Sequence, residues 1–283
     1  MIKSWLSSYK PGNKEEALQA MREIMQEVAL AGLYRGGFFK EAAFYGGTAL
    51  RIFHGLQRFS EDLDFSLLKV DETFKLENYF SAVEDEFKGL GININLDKKI
   101  KSQNTNVESA FLKSDTLSCE IILNNILPEP DPKITKGIKI KIELDTGPPD
   151  GFETEEKLLV RPFSFYVNCY SLSDLFAGKI HALLFRKWKN RVKGRDWFDF
   201  EWYVSNGIPL NLNHFHQRAI QSGHLEKTML TETVFKAMMT EKFKHANIKS
   251  IINDISPFIN NHSSIEHWTP QYFIDLLGLI KFK

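Results

Sequence analysis

Asp62 and Asp64 alternate with Leu63 and Phe65 in the run YGGTALRIFHGLQRFSEDLDF, so on a strand both carboxylates project from one face. Such a face suits Mg²⁺ (or Mn²⁺), which takes a few hard oxygens and fills its octahedron with water and substrate phosphate. Upstream, Gly46 and Gly47 let backbone N–H groups approach a polyphosphate closely, and a helix opening at Thr48 would turn its N-terminus to the anion. A phosphate turn paired with two carboxylates implies phosphoryl or nucleotidyl transfer. That chemistry needs an NTP held in line with its charge neutralised more than it needs covalent help. Two metal ions would supply this, one activating the attacking hydroxyl and one holding the departing pyrophosphate. Asp62 and Asp64 are the expected ligands, with a third carboxylate from IKIKIELD at 138–145. There Ile138, Ile140, Ile142 and Leu144 take one face, and Lys139, Lys141, Glu143 and Asp145 the other. Glu143 is the first choice and Asp145 the second.

Lys179 lies on an amphipathic helix among Ala177, Gly178, Ala182 and Leu183. It is either a snorkelling stem with a solvated head or a phosphate clamp reaching toward the triphosphate. Asp196 and Asp199 in RDWFDF share a helix face with Arg195 nearby, and Asp196 also suits an N-terminal cap. Between these, RKWKNRVKGR gathers Arg186, Lys187, Lys189, Arg191, Lys193 and Arg195 around Trp188. It is a solvated loop or a contact for RNA backbone or triphosphate. His54 and His181 read as packing residues. No nucleophile elbow, Walker-type loop or metalloprotease motif is present.

The elements that must position these groups follow from periodicity. A helix is expected from Lys14 to Ala31, entered at Asn13 and stopped at Gly32, and another from Glu77 to Lys88. AFYGG reads as a strand entering a turn and EDLDFSLL as a second strand. ININ, VESAFLK (107–113), CEIIL, IKIKIELD, LLVRPF and FYVNCY read as further strands of a mixed sheet. From Tyr170 onward the pattern is helical to the end. The expectation is an α+β fold, with a mixed-sheet domain at 1–170, a helical domain at 171–283 and the site between them. The 283 residues carry 36 Lys plus Arg against 36 Asp plus Glu, so no global field favours a polyanion. Cys119 and Cys169 form no disulfide framework, and no apolar run approaches the ~20 residues of a membrane span. A cytoplasmic protein without membrane contact is expected.

These motifs, GGTALRIFHGLQRFSEDLDF, then a β-rich middle, then SLSDLFAGKIHALLFRK and GRDWFDFEWYV, resemble the AbiEii/AbiGii nucleotidyltransferase toxins of the polymerase-β-like superfamily. The resemblance covers about residues 14 to 207, with the elements collinear. The family's turn and R-x-S-x-D-h-D motif falls on Gly46, Gly47, Thr48, Arg58, Ser60, Asp62 and Asp64. Its helical lysine falls on Lys179 and its R-D-x-x-D segment on Arg195, Asp196 and Asp199. The resemblance implies nucleotide binding, metal-dependent transfer of a nucleotide to an acceptor such as tRNA, and neutralisation by a separately encoded antitoxin. Asp62, Asp64, Lys179 and Asp196 are then expected to be catalytic, with Glu143 added from the strand alternation, because the third carboxylate is where the resemblance departs. Gly46, Gly47, Thr48, Arg58, Ser60, Lys179, Arg195 and Asp199 then bind the nucleotide. Two other readings fit the same residues: an NTP-binding interaction module without catalysis, and a transferase acting on small molecules of the antibiotic type.

Overall fold

The β5 strand, Ile138–Asp145, shows how the sheet is specified: Ile138, Ile140, Ile142 and Leu144 are buried while the intervening residues reach the other face. In the computed structural model, which describes residues 1–98, 116–123, 138–186 and 192–283, this strand lies near the centre of a seven-stranded mixed sheet. The others are β1 (Ala42–Tyr45), β2 (Asp62–Leu67), β3 (Ile94–Lys98), β4 (Thr116–Leu123), β6 (Thr154–Leu159) and β7 (Phe165–Tyr170). Their order is β3-β4-β5-β2-β1-β7-β6. β2 runs parallel to β5 and antiparallel to β1, and β1 is parallel to β7. The fold is α+β, as expected. The expected strand at 107–113 lies outside the described residues.

One face of the sheet is covered by α2 (Lys14–Arg35) and α4 (Phe80–Gly89), with α1 (Ile2–Ser8) packed beside α2. Asn13 caps α2 by accepting from the Glu16 N–H, and Glu15 and Glu16 complement the helix dipole. Gly32 does not stop this helix. A Cβ at Gly32 would lie 2.6 Å from the Val83 Cα, so the glycine is there to let α2 and α4 touch backbone to backbone. The short helix α3 (Gly46–His54) follows β1 directly, starting two residues earlier than the expected Thr48.

Beyond β7 come α5 (Leu172–Phe185), α6 (Gly194–Ser205), α7 (Leu212–Gln221), α8 (Glu232–Lys244), α9 (Ile248–Ile255) and α10 (Pro270–Gly278). The segment is not wholly helical, because β8 (Pro209–Leu210) and β9 (Lys281–Phe282) pair in parallel and tie the C-terminal end back to the start of α7. These helices enclose a second apolar core. Ala43 and Tyr170 from the sheet, Leu50 from α3 and Leu56 from the loop after it belong to it, so the two halves share buried surface. No helix among the described residues is long and apolar enough to cross a membrane.

Candidate active site

The parallel pairing of β2 with β5 sets Asp62 opposite Lys141 and Asp64 opposite Glu143. Register partners on adjacent strands point to the same face, so two adjacent strands deliver three carboxylates and one ammonium to one spot. Burial, followed by the charges of Asp62 and Glu143, pushes Asp64 up to about 7. Burial and then Glu143 raise Asp62 as well. Lys141 forms an ion pair with Glu143, whereas Asp62 and Asp64 have no ion-pair partner among the described residues. The turn at Gly46 crosses directly above: its φ is +84°, and a Cβ there would sit 2.3 Å from the Asp64 Oδ2. Tyr45 at the N-cap of α3 makes no side-chain cap hydrogen bond to the helix N-terminus, where backbone N–H groups lack intrahelical partners.

Opposite this face stand α5 and α6. Lys179 donates to Asp196 at 2.8 Å and lies 2.7 Å from Asp199, while Arg58 grips Asp199 with two bonds of 2.6 Å. Arg58 is 2% exposed and Asp199 fully buried, so this four-residue chain is a strut between the loop before β2 and the two helices. Burial works to raise Asp196, but Lys179, Arg186 and Lys193 outweigh it and hold the carboxyl at about 2. Burial, then Arg186, pushes Lys193 down to about 8. Arg195 leans on the Phe258 ring, 4.2 Å from its centroid, and lies 3.5 Å from Glu61.

The two walls bound a cleft of about 320 Å³. Gly46, Gly47, Ser60, Asp62, Asp64, Glu143, Asp145, Lys179, Arg195 and Asp196 all line it, as do Arg186 and Lys193 from the basic segment. Lys187, Trp188, Lys189 and Arg191 of that segment lie outside the described residues. The sequence matches the family described as "Nucleotidyl transferase AbiEii toxin, Type IV TA system" over residues 28–269. The chain belongs to the AbiEii family. AbiEii proteins are nucleotidyltransferases of type IV toxin–antitoxin systems. Among solved structures, JHP933 from Helicobacter pylori is similar to this chain, with 14% identity and a TM-score of 0.51 over 92% of this chain and 90% of its own. A second H. pylori structure is 16% identical over 91% of this chain and 92% of its own, with a TM-score of 0.49. A comparison with curated proteins returned no match.

Within this AbiEii cleft three residues have tasks other than the phosphate contact expected of them. Thr48 is fully buried and its hydroxyl donates to the Asp62 carbonyl at 2.5 Å, fixing α3 against β2. Arg58 lines the cleft, but its Nε and Nη2 donate to Asp199 and its Nη1 to the Phe59 carbonyl. Asp199 does not line the cleft at all. Lys179 does line it, with its ammonium shared between two carboxylates. His181, expected to be a packing or hydrogen-bonding residue, lines the cleft, and its Nε2 lies 2.8 Å from the Ser222 hydroxyl.

A divalent cation fits Asp62 and Asp64, because both are desolvated carboxylates raised by burial and by neighbouring carboxylates, Glu143 for Asp62 and Asp62 with Glu143 for Asp64, and a positive charge beside them would stabilise both. Among the described residues no three Asp, Glu, His or Cys side chains close a metal site by themselves. Glu143 is turned to Lys141 instead. Reading the sequence missed Lys141 as a site residue, though its i, i+2 spacing to Glu143 on one strand face signalled it. It also missed Tyr45, Arg218, Gln221 and Ser222, which line the cleft from β1, α7 and the turn after α7. No motif marks Arg218 or its neighbours.

Proposed function

We propose that this AbiEii-family chain transfers a nucleoside monophosphate from an NTP to an RNA acceptor in a divalent-cation-dependent reaction. It would act in the cytoplasm as a toxin that a separately encoded antitoxin restrains. The β2–β5 register carries this reading, because it puts Asp62, Asp64 and Glu143 on one face, across a cleft from Lys193, Arg195 and Lys179. Residues 1–170 and 171–283 act as the two walls. The cationic wall and the N-terminal N–H groups of α3 hold the triphosphate, whose charge they offset. Asp62 and Asp64 would hold Mg²⁺, joined by Glu143; the metal would supply charge neutralisation and acidify the attacking hydroxyl. In the step itself the acceptor oxygen bonds to the α-phosphorus and the bond from that phosphorus to the β-phosphate oxygen breaks. Pyrophosphate leaves, and the hydroxyl proton passes to a carboxylate of the cluster. RNA as acceptor is supported by the basic residues Arg186, Lys193 and Arg195 at the cleft of an otherwise neutral chain.

The test incubates the purified chain with Mg²⁺, each α-labelled NTP in turn and total RNA. Label on RNA that vanishes with Asp62→Asn or Asp64→Asn is the expected result. Label on a small hydroxyl compound but not on RNA would replace the acceptor class, and nucleotide binding without any transfer would replace catalysis with sequestration.

A further inference from the structure

We infer that Lys141 is a built-in competitor for the divalent cation, a positioning residue that keeps Glu143 out of the metal site until a cation displaces its ammonium. This rests on the divalent-cation reading above and goes one step past it. Three observations carry it. Lys141 and Glu143 sit two apart on β5 and so share the face that β2 fills with Asp62 and Asp64. The ammonium is ion-paired to Glu143, and Asp62 and Asp64 are close enough that both act on it. And among the described residues the cluster fails to present three ligands together, although three carboxylates lie on adjacent positions of paired strands.

The physical argument is one of charge. Carboxylates gathered in a half-desolvated cleft repel one another unless a cation lies among them. A lysine ammonium supplies one charge and three donors on a flexible stem, so it can neutralise the cluster and still withdraw. Lys141 and Glu143 keep 37% and 28% of their side chains exposed, which leaves the stem room to swing toward solvent. A divalent ion offers twice the charge at shorter distance and takes Glu143 once the ammonium moves out. The cation therefore binds more weakly than the carboxylates alone would dictate, and the protein without metal is not burdened by their repulsion.

The test is calorimetric titration of Mn²⁺ into the full chain stripped of divalent ions, for wild type, Lys141→Met, Lys141→Arg, Glu143→Gln and the Lys141→Met/Glu143→Gln pair. Lys141→Met should tighten Mn²⁺ roughly fivefold, the scale of one partly exposed ion pair. Lys141→Arg should stay near wild type, and the gain should disappear in the pair, because it operates through Glu143. Without metal, Lys141→Met should melt lower than wild type, and saturating Mn²⁺ should restore it. Unchanged or weaker Mn²⁺ binding by Lys141→Met, with wild-type binding intact, overturns the inference and leaves the cation reading standing. Wild-type Mn²⁺ binding that is absent, or that survives Asp62→Asn/Asp64→Asn, overturns the cation reading and this inference with it.

Discussion

Two acidic groups face each other across this cleft, and they are built on opposite principles. On α6, Asp196 is met by the half-buried Lys179 and Asp199 by Lys179 and the buried Arg58, so that two negative charges answer two positive ones. On β2 and β5, the one contacting ammonium, Lys141, pairs with Glu143 and not with Asp62 or Asp64, which burial raises. A compensated group holds the fold together, and an uncompensated one waits for a charge from outside. Deleting a charge should therefore have opposite consequences on the two sides. Asp64→Asn should cut transferase activity by roughly 10³-fold, the scale of losing a main electrostatic element of a site. Its melting temperature should stay level or rise above pH 7, because the variant no longer buries a charge that the fold disfavours. A clear fall in Tm would show that Asp64 is structural, and the contrast would break.

The strut gives the reverse outcome. Arg58→Met leaves the fully buried Asp199 without its bidentate partner, and breaking such a pair costs ~3–5 kcal/mol. That loss reads as a Tm drop of roughly 10 °C for a chain of this size. Adding Asp199→Leu should recover much of it, since a removed charge no longer needs a partner. Urea denaturation of the single and double variants measures this coupling directly, and additive losses would mean that the two residues act separately.

Gly46 joins the two principles, because its turn rests on the Asp64 carboxylate. Gly46→Ala places a Cβ 2.3 Å from Oδ2 at a φ of +84°, so either the carboxylate or the turn must move. A shift of about 1 Å at a reacting centre costs about 100-fold in rate, while the left-handed backbone alone costs ~1–2 kcal/mol. Activity should therefore fall much further than stability. Loss of folded protein in the same proportion, measured by circular dichroism, would remove the reason for assigning the turn to the site.

What could be read in advance divides along the same line. The strand faces were legible because alternation is local: Ile138 to Asp145 names its own buried side, and Asp62-Leu63-Asp64-Phe65 does the same. The register that sets Asp64 beside Glu143 was not, since parallel pairing of strands so distant in sequence is a tertiary fact. Arg58 stood out as a motif residue, yet its task depends on Asp199, 141 residues away, and its position alone suggested phosphate. Gly32 was misread as a stop for the same reason, because the helix that crosses it is not in its local window. Arg218 gave no signal at all, being one basic residue on an amphipathic helix.

The smallest effect tests the sign of the electrostatics. Asp196 is held at about 2 against an unfolded value near 3.9, and Asp199 is lowered by Arg58 and Lys179 against its burial. A carboxyl whose folded pKa lies below its unfolded one contributes stability that is present above about pH 4 and lost as the pH falls toward 2. For Asp196 that contribution is ~2 kcal/mol. Urea midpoints taken from pH 6 down to pH 2.5 should fall for the wild type across this window. Lys179→Met removes the cation that both carboxylates share, so it should start less stable and lose less over the same interval. Parallel curves for the two proteins would place the acid-sensitive charges elsewhere and leave the strut as packing alone.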